Sequence, residues 1–480
     1  MGRRDRLPLD LVVKTLAVAT VVVLCLAAAG VAPGFSFASS TPHPAPVAAR
    51  PAPAVSAAVT LSPAPPATIA AQAAAPKLHL TAPSIKFRPP AVTLPLSVTS
   101  TTVGAPTTTS TTVRVATTTT TAPPPTVASG VIRASGTRLT LNGATYQFTG
   151  VNAYEAATQW GINAGCGAQL SDAQLNQLFA SLPANSLVRF WAFQGTMATD
   201  ITTHQLNWGP LDRVFAAAAA HSQRLVVAIT DQAGTCDGGH WQDPAWYQGG
   251  FMNVYNDPST TDGRGLTPLS YWTYLQDIVS RYRTSPALGM WEPISEGEAS
   301  TCPAWAQPLN CGGHQTCPDE SVAAAALHHF FDVVGGEIHS LDPLHLVESG
   351  LLGGGQCGMQ GNDYLTVSQS PGIDVLSYHD YYGLVAIGGD EWNGIALRLH
   401  QAALIGKPII AGEMGIEAGT APGCVGIAER NTALTTKERM QMASGSSGAL
   451  TWDWVPSTTY MCTYDVTPAD PIVAAGGAVG

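Results

Sequence analysis

Residues 286–299 read PALGMWEPISEGEA. The run opens on an apolar stretch, residues 287–291, the length of a strand buried on both faces, and then breaks into three carboxylates, Glu292, Glu296 and Glu298, with Pro293 and Gly297 among them. Acids placed directly after a buried strand cost free energy unless the strand ends at an opening, because a buried charge needs water or partners. In a parallel α/β barrel the C-terminal strand ends form such an opening. Residues 407–415, KPIIAGEMG, repeat the design: a short apolar strand runs into Glu413.

Outward from these two stretches the chain alternates strand and helix. Residues 131–150 alternate apolar and polar positions around Asn142-Gly143, a strong hairpin signal. The apolar patterning then predicts strands at 148–152, 187–191, 225–230, 287–291, 345–349, 373–377, 408–411 and 449–452. Helices are predicted at 171–182, 211–221, 269–283, 320–341, 392–405 and 437–444. Repeated units of this length imply parallel strands with helical crossovers, and eight of them fit an α/β (β/α)8 TIM barrel with insertions. An open doubly wound sheet is the competing arrangement, but no Gly-rich phosphate loop follows any strand. Residues 471–480 make a poor helix, so the closing helix is expected to be short, replaced or missing.

The 480-residue chain changes composition near residue 129. Arg3, Arg4 and Arg6 precede an apolar stretch at 16–32 and small residues near 36–38, which predicts a signal peptide or an N-terminal membrane anchor over residues 1–38. Residues 39–128 are rich in Ala, Pro and Thr and read as a disordered linker with a possible load of O-linked sugars, a solvated tether for a domain at 129–480. Residues 1–128 hold nine Lys and Arg against two Asp and Glu, so the acidity of a chain with net charge −11 is concentrated in that last domain. An acidic domain is a poor partner for nucleic acid or other polyanions and is compatible with a neutral substrate. Apart from Cys25 there are eight cysteines, Cys166, Cys236, Cys302, Cys311, Cys317, Cys357, Cys424 and Cys462. An even count behind an export signal predicts up to four disulfides of undetermined connectivity. A zinc site on Cys302, Cys311, Cys317 and His314 is the rival, and it lacks the paired short spacing of structural zinc.

Two glutamates at the ends of strands four and seven face each other across the mouth of an eight-stranded barrel. Cleavage of a glycosidic bond with retention needs that pair, one carboxyl as acid/base and the other as nucleophile, about 5–5.5 Å apart. Glu296 suits the acid/base role and Glu413 the nucleophile. Arg189, at the end of strand two, is a fitting donor to Glu413. His379 and Tyr381, after strand six, add hydrogen bonds, and Trp452 offers a flat face for a sugar ring. Of the other candidates, Glu292 is expected to be a buried partner of a neighbouring strand, Glu298 a rim residue, and Asn152 and Asp231 rim or support residues. Trp160, Trp191, Trp241, Trp246 and Trp305 could line a cleft or fill loops.

Seven segments in order resemble the catalytic domain of glycoside hydrolase family 5, particularly its β-1,4-mannanase branch and related cellulase-like enzymes. They are FTGVNAY (148–154), VRFWAF (188–193), residues 230–246, VSRYRTSPALGMWEPISE (279–296), SYHDY (377–381), KPIIAGEMG (407–415) and GALTWDW (448–454). Trp291-Glu292 matches the family's Trp-Glu four residues before its acid/base, which sets the register on Glu296. The resemblance implies Glu296 as acid/base, Glu413 as nucleophile, Arg189 beside the nucleophile, His379 and Tyr381 as the strand-six pair, and Trp452 as sugar platform. The family's Asn before the acid/base, which binds the sugar's 2-hydroxyl, is Ser295 here. The expectation is a secreted or surface-tethered retaining β-glycosidase, with mannan favoured over β-glucan. It needs no metal or organic cofactor and acts as a monomer on a polysaccharide or oligosaccharide. The alternatives are a non-catalytic carbohydrate-binding or cell-wall protein on the same barrel, and a transglycosylase. Backbone sugar and endo or exo action depend on loops such as 234–248 and 302–317.

Overall fold

The computed structural model describes residues 130–157, 170–200, 205–234, 240–254, 269–304, 306, 311, 313–459 and 461–475. The expected signal or anchor (1–38), the linker (39–128), Cys166, Cys236, Trp160 and Trp305 lie outside the described residues.

Eight parallel strands form the centre: Phe148–Asn152, Leu187–Trp191, Arg224–Ala228, Leu288–Glu292, Leu346–Val347, Leu376–Asp380, Ile409–Met414 and Gly448–Thr451. Each pairs with its sequence neighbour, and the last pairs with the first through Gly448–Phe148 and Leu450–Gly150. Between strands five and six the ring is closed by the parallel Glu348–Val375 bridge. The sheet is thus a closed barrel, and the doubly wound alternative falls.

Each strand, or for strand six the residue just before it, sends one residue to the lower interior: Phe148, Leu187, Val226, Met290, Leu346, Val375, Ile410 and Leu450, all buried. The N-terminal hairpin strands Ile132–Ser135, Arg138–Leu141 and Ala144–Tyr146 plug this end, adding Ile132, Leu139, Leu141 and Tyr146 to the same cluster. Asn142 and Gly143 both take positive φ, 54° and 83°, the turn that this dipeptide favours. Two residues further along each strand the interior side chains change character, since positions i and i+2 share a face. Arg189, Glu292, Glu348 and Ser377 enter there, all within 1 % of complete burial.

Helices cover the outside where their start signals predict. Ser171 caps Asp172–Ala180 in a reciprocal box with Gln174, Ser270 caps Tyr271–Tyr282, and Asp319 caps Glu320–Leu341. Among the boundaries that depart from the sequence reading, three bear on the site. Strand six runs Leu376–Asp380 rather than 373–377, and strand seven extends through Glu413 to Met414. His379 and Glu413 have partners inside the barrel, and Asp380 is held from outside by Lys437 and Gln441 of helix Ile427–Ala443. Helix Ile427–Ala443 begins ten residues before the predicted start. Its buried face carries Arg430, Asn431, Lys437 and Gln441, so no apolar period marks its first turns. A short helix, Asn362–Ser368, was not expected, and Pro471–Ala475 forms the short closing helix.

Among the described residues, three disulfides pin the loops at the barrel mouth: Cys302–Cys311, Cys317–Cys357 and Cys424–Cys462. Cys302, Cys311 and Cys317 are all consumed, which removes the thiolates that the zinc alternative needs. No helix among the described residues is long and apolar enough to cross a membrane.

Candidate active site

The site grows from Arg189, 1 % exposed at the end of strand two. Its guanidinium donates from Nε and Nη2 to the two oxygens of Glu292, both at 2.6 Å, a bidentate pair. Nη1 donates to Glu413 Oε1 at 2.7 Å and to Asn152 Oδ1 at 2.9 Å, and Nη2 also reaches Ser295 Oγ at 2.7 Å. One cation therefore aligns four strand ends. Asn152 completes the tie by donating to the Gly412 carbonyl at 3.0 Å, so it is a support residue. Glu292 is the buried partner the sequence suggested.

Glu413 receives three donors or potential donors: Arg189, the Tyr381 hydroxyl at 2.5 Å, and His379 Nδ1 at 3.5 Å. Burial pushes its carboxyl above the usual range, while His379 and Arg189 pull the other way. Glu296 has a different setting. His379 Nδ1 lies 2.8 Å from its Oε1, and its side chain keeps 38 % of its surface open to the cleft. Desolvation, with Glu292 adding to it against the pull of Arg189, holds the Glu296 carboxyl at about 7. Donors thus concentrate on Glu413, while a single imidazole faces Glu296. His379 is buried and held at about 4 by loss of water, with Glu413 opposing, so its ring is neutral at neutral pH.

Glu296 adopts φ +55°, left-handed backbone that costs about 1–3 kcal/mol in a residue with a side chain. The surroundings enforce it. Glu296 N donates to the Gly350 carbonyl at 2.7 Å, Gln356 Nε2 donates to the Glu296 carbonyl at 2.7 Å, and Ser295 N donates to the Thr230 carbonyl at 2.8 Å. Gly350 permits the approach, since a Cβ there would meet the Ile294 carbonyl oxygen at 2.0 Å.

Trp452 is 7 % exposed. Its ring stacks on Tyr154 at 5.3 Å and leans toward Trp191 at 6.3 Å. The peptide from Trp452 to Asp453 is cis.

All seven residues singled out for the site are brought to the mouth of the barrel or its immediate support. Glu298 is not a rim residue: it is buried, and it accepts from Ser300 Oγ at 3.0 Å and Cys357 N at 3.3 Å. Trp246 is packed in the core and Trp241 donates to the Ser300 carbonyl, so neither lines the cleft. Asp231 pairs with Ser295 in a parallel bridge that extends the third and fourth strands past their ends. Glu348, buried behind Glu292, was not anticipated. Its only sequence signal is an acid inside an apolar run, at the end of strand five. Oxygen and nitrogen atoms of Glu296, His379 and Glu413 lie within 4.8 Å of one another. That spacing suits a cation, but the guanidinium of Arg189 already neutralises the Glu413 side, which disfavours a divalent ion.

No family model matches the chain. A probable mannan endo-1,4-β-mannosidase A-2 of Aspergillus terreus is 26 % identical over 355 residues, covering 67 % of this chain and 76 % of that protein. A probable mannan endo-1,4-β-mannosidase F of Aspergillus flavus is 26 % identical over 318 residues, and the match spans 59 % of this chain and 60 % of the relative. Mannan endo-1,4-β-mannosidase 8 of Oryza sativa is 22 % identical over 369 residues, 67 % of this chain and 88 % of the relative. Among solved structures, an endo-1,4-β-mannanase from Rhizomucor miehei aligns with a TM-score of 0.49 at 18 % identity, over 72 % of this chain and 98 % of that one.

Proposed function

We propose that this member of glycoside hydrolase family 5 hydrolyses β-1,4-linked mannan with retention, using Glu296 as acid/base and Glu413 as nucleophile. The observation that carries the reading is the pair of carboxylates on one imidazole, with reactive atoms within 4.8 Å. That separation suits direct attack on the sugar and leaves too little room for the water of an inverting enzyme. Mannan is favoured over β-glucan because the sequence relatives carry mannan endo-1,4-β-mannosidase names.

In the first step Glu296 gives its proton to the glycosidic oxygen while a Glu413 oxygen attacks the anomeric carbon. The leaving chain departs as an alcohol and the sugar becomes esterified to Glu413. In the second step Glu296, now ionised, takes a proton from water. The hydroxide displaces Glu413, and both carboxyls return to their starting states. Arg189 and Tyr381 hold the Glu413 oxygens in line, His379 faces both carboxyls, and Trp452 carries the ring. The three disulfides fit an oxidising compartment, and with the N-terminal sequence they support export or display on the outer face of the membrane.

The test is product release from mannan and β-glucan oligosaccharides by wild type, Glu296→Gln and Glu413→Gln. Wild-type cleavage with retained anomeric configuration and loss of at least about 10³-fold in each variant is expected. Near wild-type rate in either variant overturns the assignment. Binding without products selects the non-catalytic carbohydrate-binding reading, and products longer than the substrate select a transglycosylase.

A further inference from the structure

Behind the two carboxyls lies a second polar group that the proposed mechanism does not use. Glu348 closes strand five and points into the barrel, two residues after the interior Leu346. It is 1 % exposed. One oxygen accepts from Gly350 N at 3.1 Å. The other, Oε1, has no hydrogen-bond partner among the described residues, and neither does the neighbouring Ser377 hydroxyl nor His379 Nε2. A buried polar atom left unsatisfied costs about 1–3 kcal/mol, and the Ser377 hydroxyl stands close enough to the Glu348 carboxyl to oppose the rise of its pKa.

Their placement connects them. Ser377 and His379 sit two apart on strand six and so share a face. A Cβ built on Gly412 of strand seven would meet Ser377 Oγ at 2.3 Å and His379 Nε2 at 3.2 Å. Hydroxyl and imidazole thus border the same small space, which exists because residue 412 has no side chain. On its other side Ser377 neighbours the Glu348 carboxyl. The charged and titratable groups facing Glu348 are Glu292 on strand four, Arg189 on strand two, and Tyr364 on helix Asn362–Ser368. His379, Glu296 and Glu413 lie beyond Ser377. Burial and the Glu292 charge raise Glu348 well above the usual carboxyl range, against the opposing pull of Ser377, Arg189 and Gly350 N.

We infer that Glu348 is a positioning residue that fixes the tautomer of His379 through Ser377. The protonated carboxyl donates to the Ser377 hydroxyl, which donates to His379 Nε2, by rotation of the hydroxyl or through one water satisfied by the three orphaned atoms. With Nε2 accepting, the ring proton must sit on Nδ1, the atom 2.8 Å from Glu296 and 3.5 Å from Glu413. His379 is then a permanent donor to the carboxylates. It stabilises ionised Glu296, the form that takes the proton of the attacking water. Without the relay the imidazole is free to carry its proton on Nε2 and accept from protonated Glu296, which raises the Glu296 pKa.

The inference rests on the glycosidase reading for its kinetic consequence but not for its direct test. Ring nitrogen shifts of 15N-labelled histidine read the tautomer whether or not the protein turns over. Wild type is expected to show Nδ1–H for His379, and Ser377→Ala and Glu348→Leu to show Nε2–H or a mixture. Glu348→Gln, a neutral donor of the same shape, is expected to keep Nδ1–H. In kcat/KM on a mannan oligosaccharide, the basic limb should move up by about one pH unit in Ser377→Ala and Glu348→Leu, the size of one hydrogen bond to a charged group. Glu348→Gln should keep the wild-type limb. An Nε2–H tautomer in wild type overturns the inference. So does a Glu348→Gln that behaves like Glu348→Leu, which would make the carboxylate charge the relevant property. Should Glu348→Leu not fold, Ser377→Ala decides alone: an unchanged tautomer and limb refute the relay. Absence of cleavage by wild type with an Nδ1–H ring would refute the proposed function and leave the relay standing.

Discussion

Ser295 occupies the position where the family has Asn, and its hydroxyl accepts from Arg189 at 2.7 Å. Turned inward to the guanidinium, it offers a sugar 2-hydroxyl less than a longer amide would. Ser295→Asn is expected to raise kcat/KM on mannan oligosaccharides by about tenfold, the worth of one added hydrogen bond near the reacting carbon; equal or lower kcat/KM would show that the serine is matched to this substrate. Glu296 also has a stability consequence. The unfolded chain releases this proton near the ordinary carboxyl value, and the folded chain releases it only at about 7. Between these values the folded protein holds the extra proton, so stability falls as pH rises through the window and the loss is complete above it. Glu296→Gln should therefore have a higher Tm than wild type at pH 8 and about the same Tm at pH 4, while losing turnover; equal Tm at pH 8 would contradict the raised pKa. Residues of this kind were legible where the chemistry needs an acid at a strand end. Glu348 and Asn152 were less so, because a buried polar residue is recognised by its partners, and those come from strands far apart in sequence.

At the scale of elements, apolar strands and capped helices were readable because their signals are local. Strand two and helix Glu320–Leu341 fall where the pattern puts them. Strand six did not, because Asp380 looks like a strand terminator until Lys437 and Gln441 from helix Ile427–Ala443 are seen bonded to its oxygens at 2.8 and 2.6 Å. The loop after strand five, which supplies Gly350 and Gln356 to Glu296, is held in a comparable way. Arg398, fully buried on helix Ile395–Ile405, donates to the carbonyls of Gly353, Met359, Gly361 and Trp392 at 2.7–2.9 Å. Its guanidinium also lies 4.4 Å over the Tyr364 ring. Arg398→Met would leave the Gly353 and Met359 carbonyls without their donor, while Gly361 keeps Gln401 Nε2 and Trp392 keeps Gly361 N, at a cost of roughly 3–5 kcal/mol. Urea unfolding should show a lowered midpoint of that size, and the loop holding Glu296 should lose hydrogen-exchange protection. A variant that unfolds with the wild-type midpoint would mean the loop is held by the Cys317–Cys357 disulfide alone.

Over the whole molecule, closure of the barrel puts many acids out of water. Glu298, Glu348, Glu413 and Asp453 all titrate above the usual carboxyl range, burial being the first cause in each. Glu438, 6 % exposed on helix Ile427–Ala443, is pushed up to about 8 by burial alone. Each raised acid binds its proton more tightly folded than unfolded, so each contributes a decline in stability as pH climbs from the ordinary carboxyl range toward its folded value. The opposing acids are few and act lower. Asp342 is held below its usual value by His345 and Trp291 against the cost of its burial, and Asp212 by Arg281 and Tyr282 against the same cost. Their contribution is complete above the ordinary Asp range and is lost only as pH falls further. His379, held at about 4, and His240, also lowered, work the other way up to the ordinary imidazole value, so the decline from the acids stands unopposed by them only above it. The Tm of residues 129–480 is expected to fall as pH rises from the ordinary imidazole value toward pH 8, with Glu438 contributing a drop on the order of 5 °C over the whole span from pH 5. Glu438→Gln, which keeps the shape and removes the ionisation, should flatten that part of the slope and leave the Tm at pH 5 nearly unchanged. A wild-type Tm that rises toward pH 8 would mean that these carboxyls ionise at ordinary values, and with them Glu296, whose proton the first step of the proposed reaction requires.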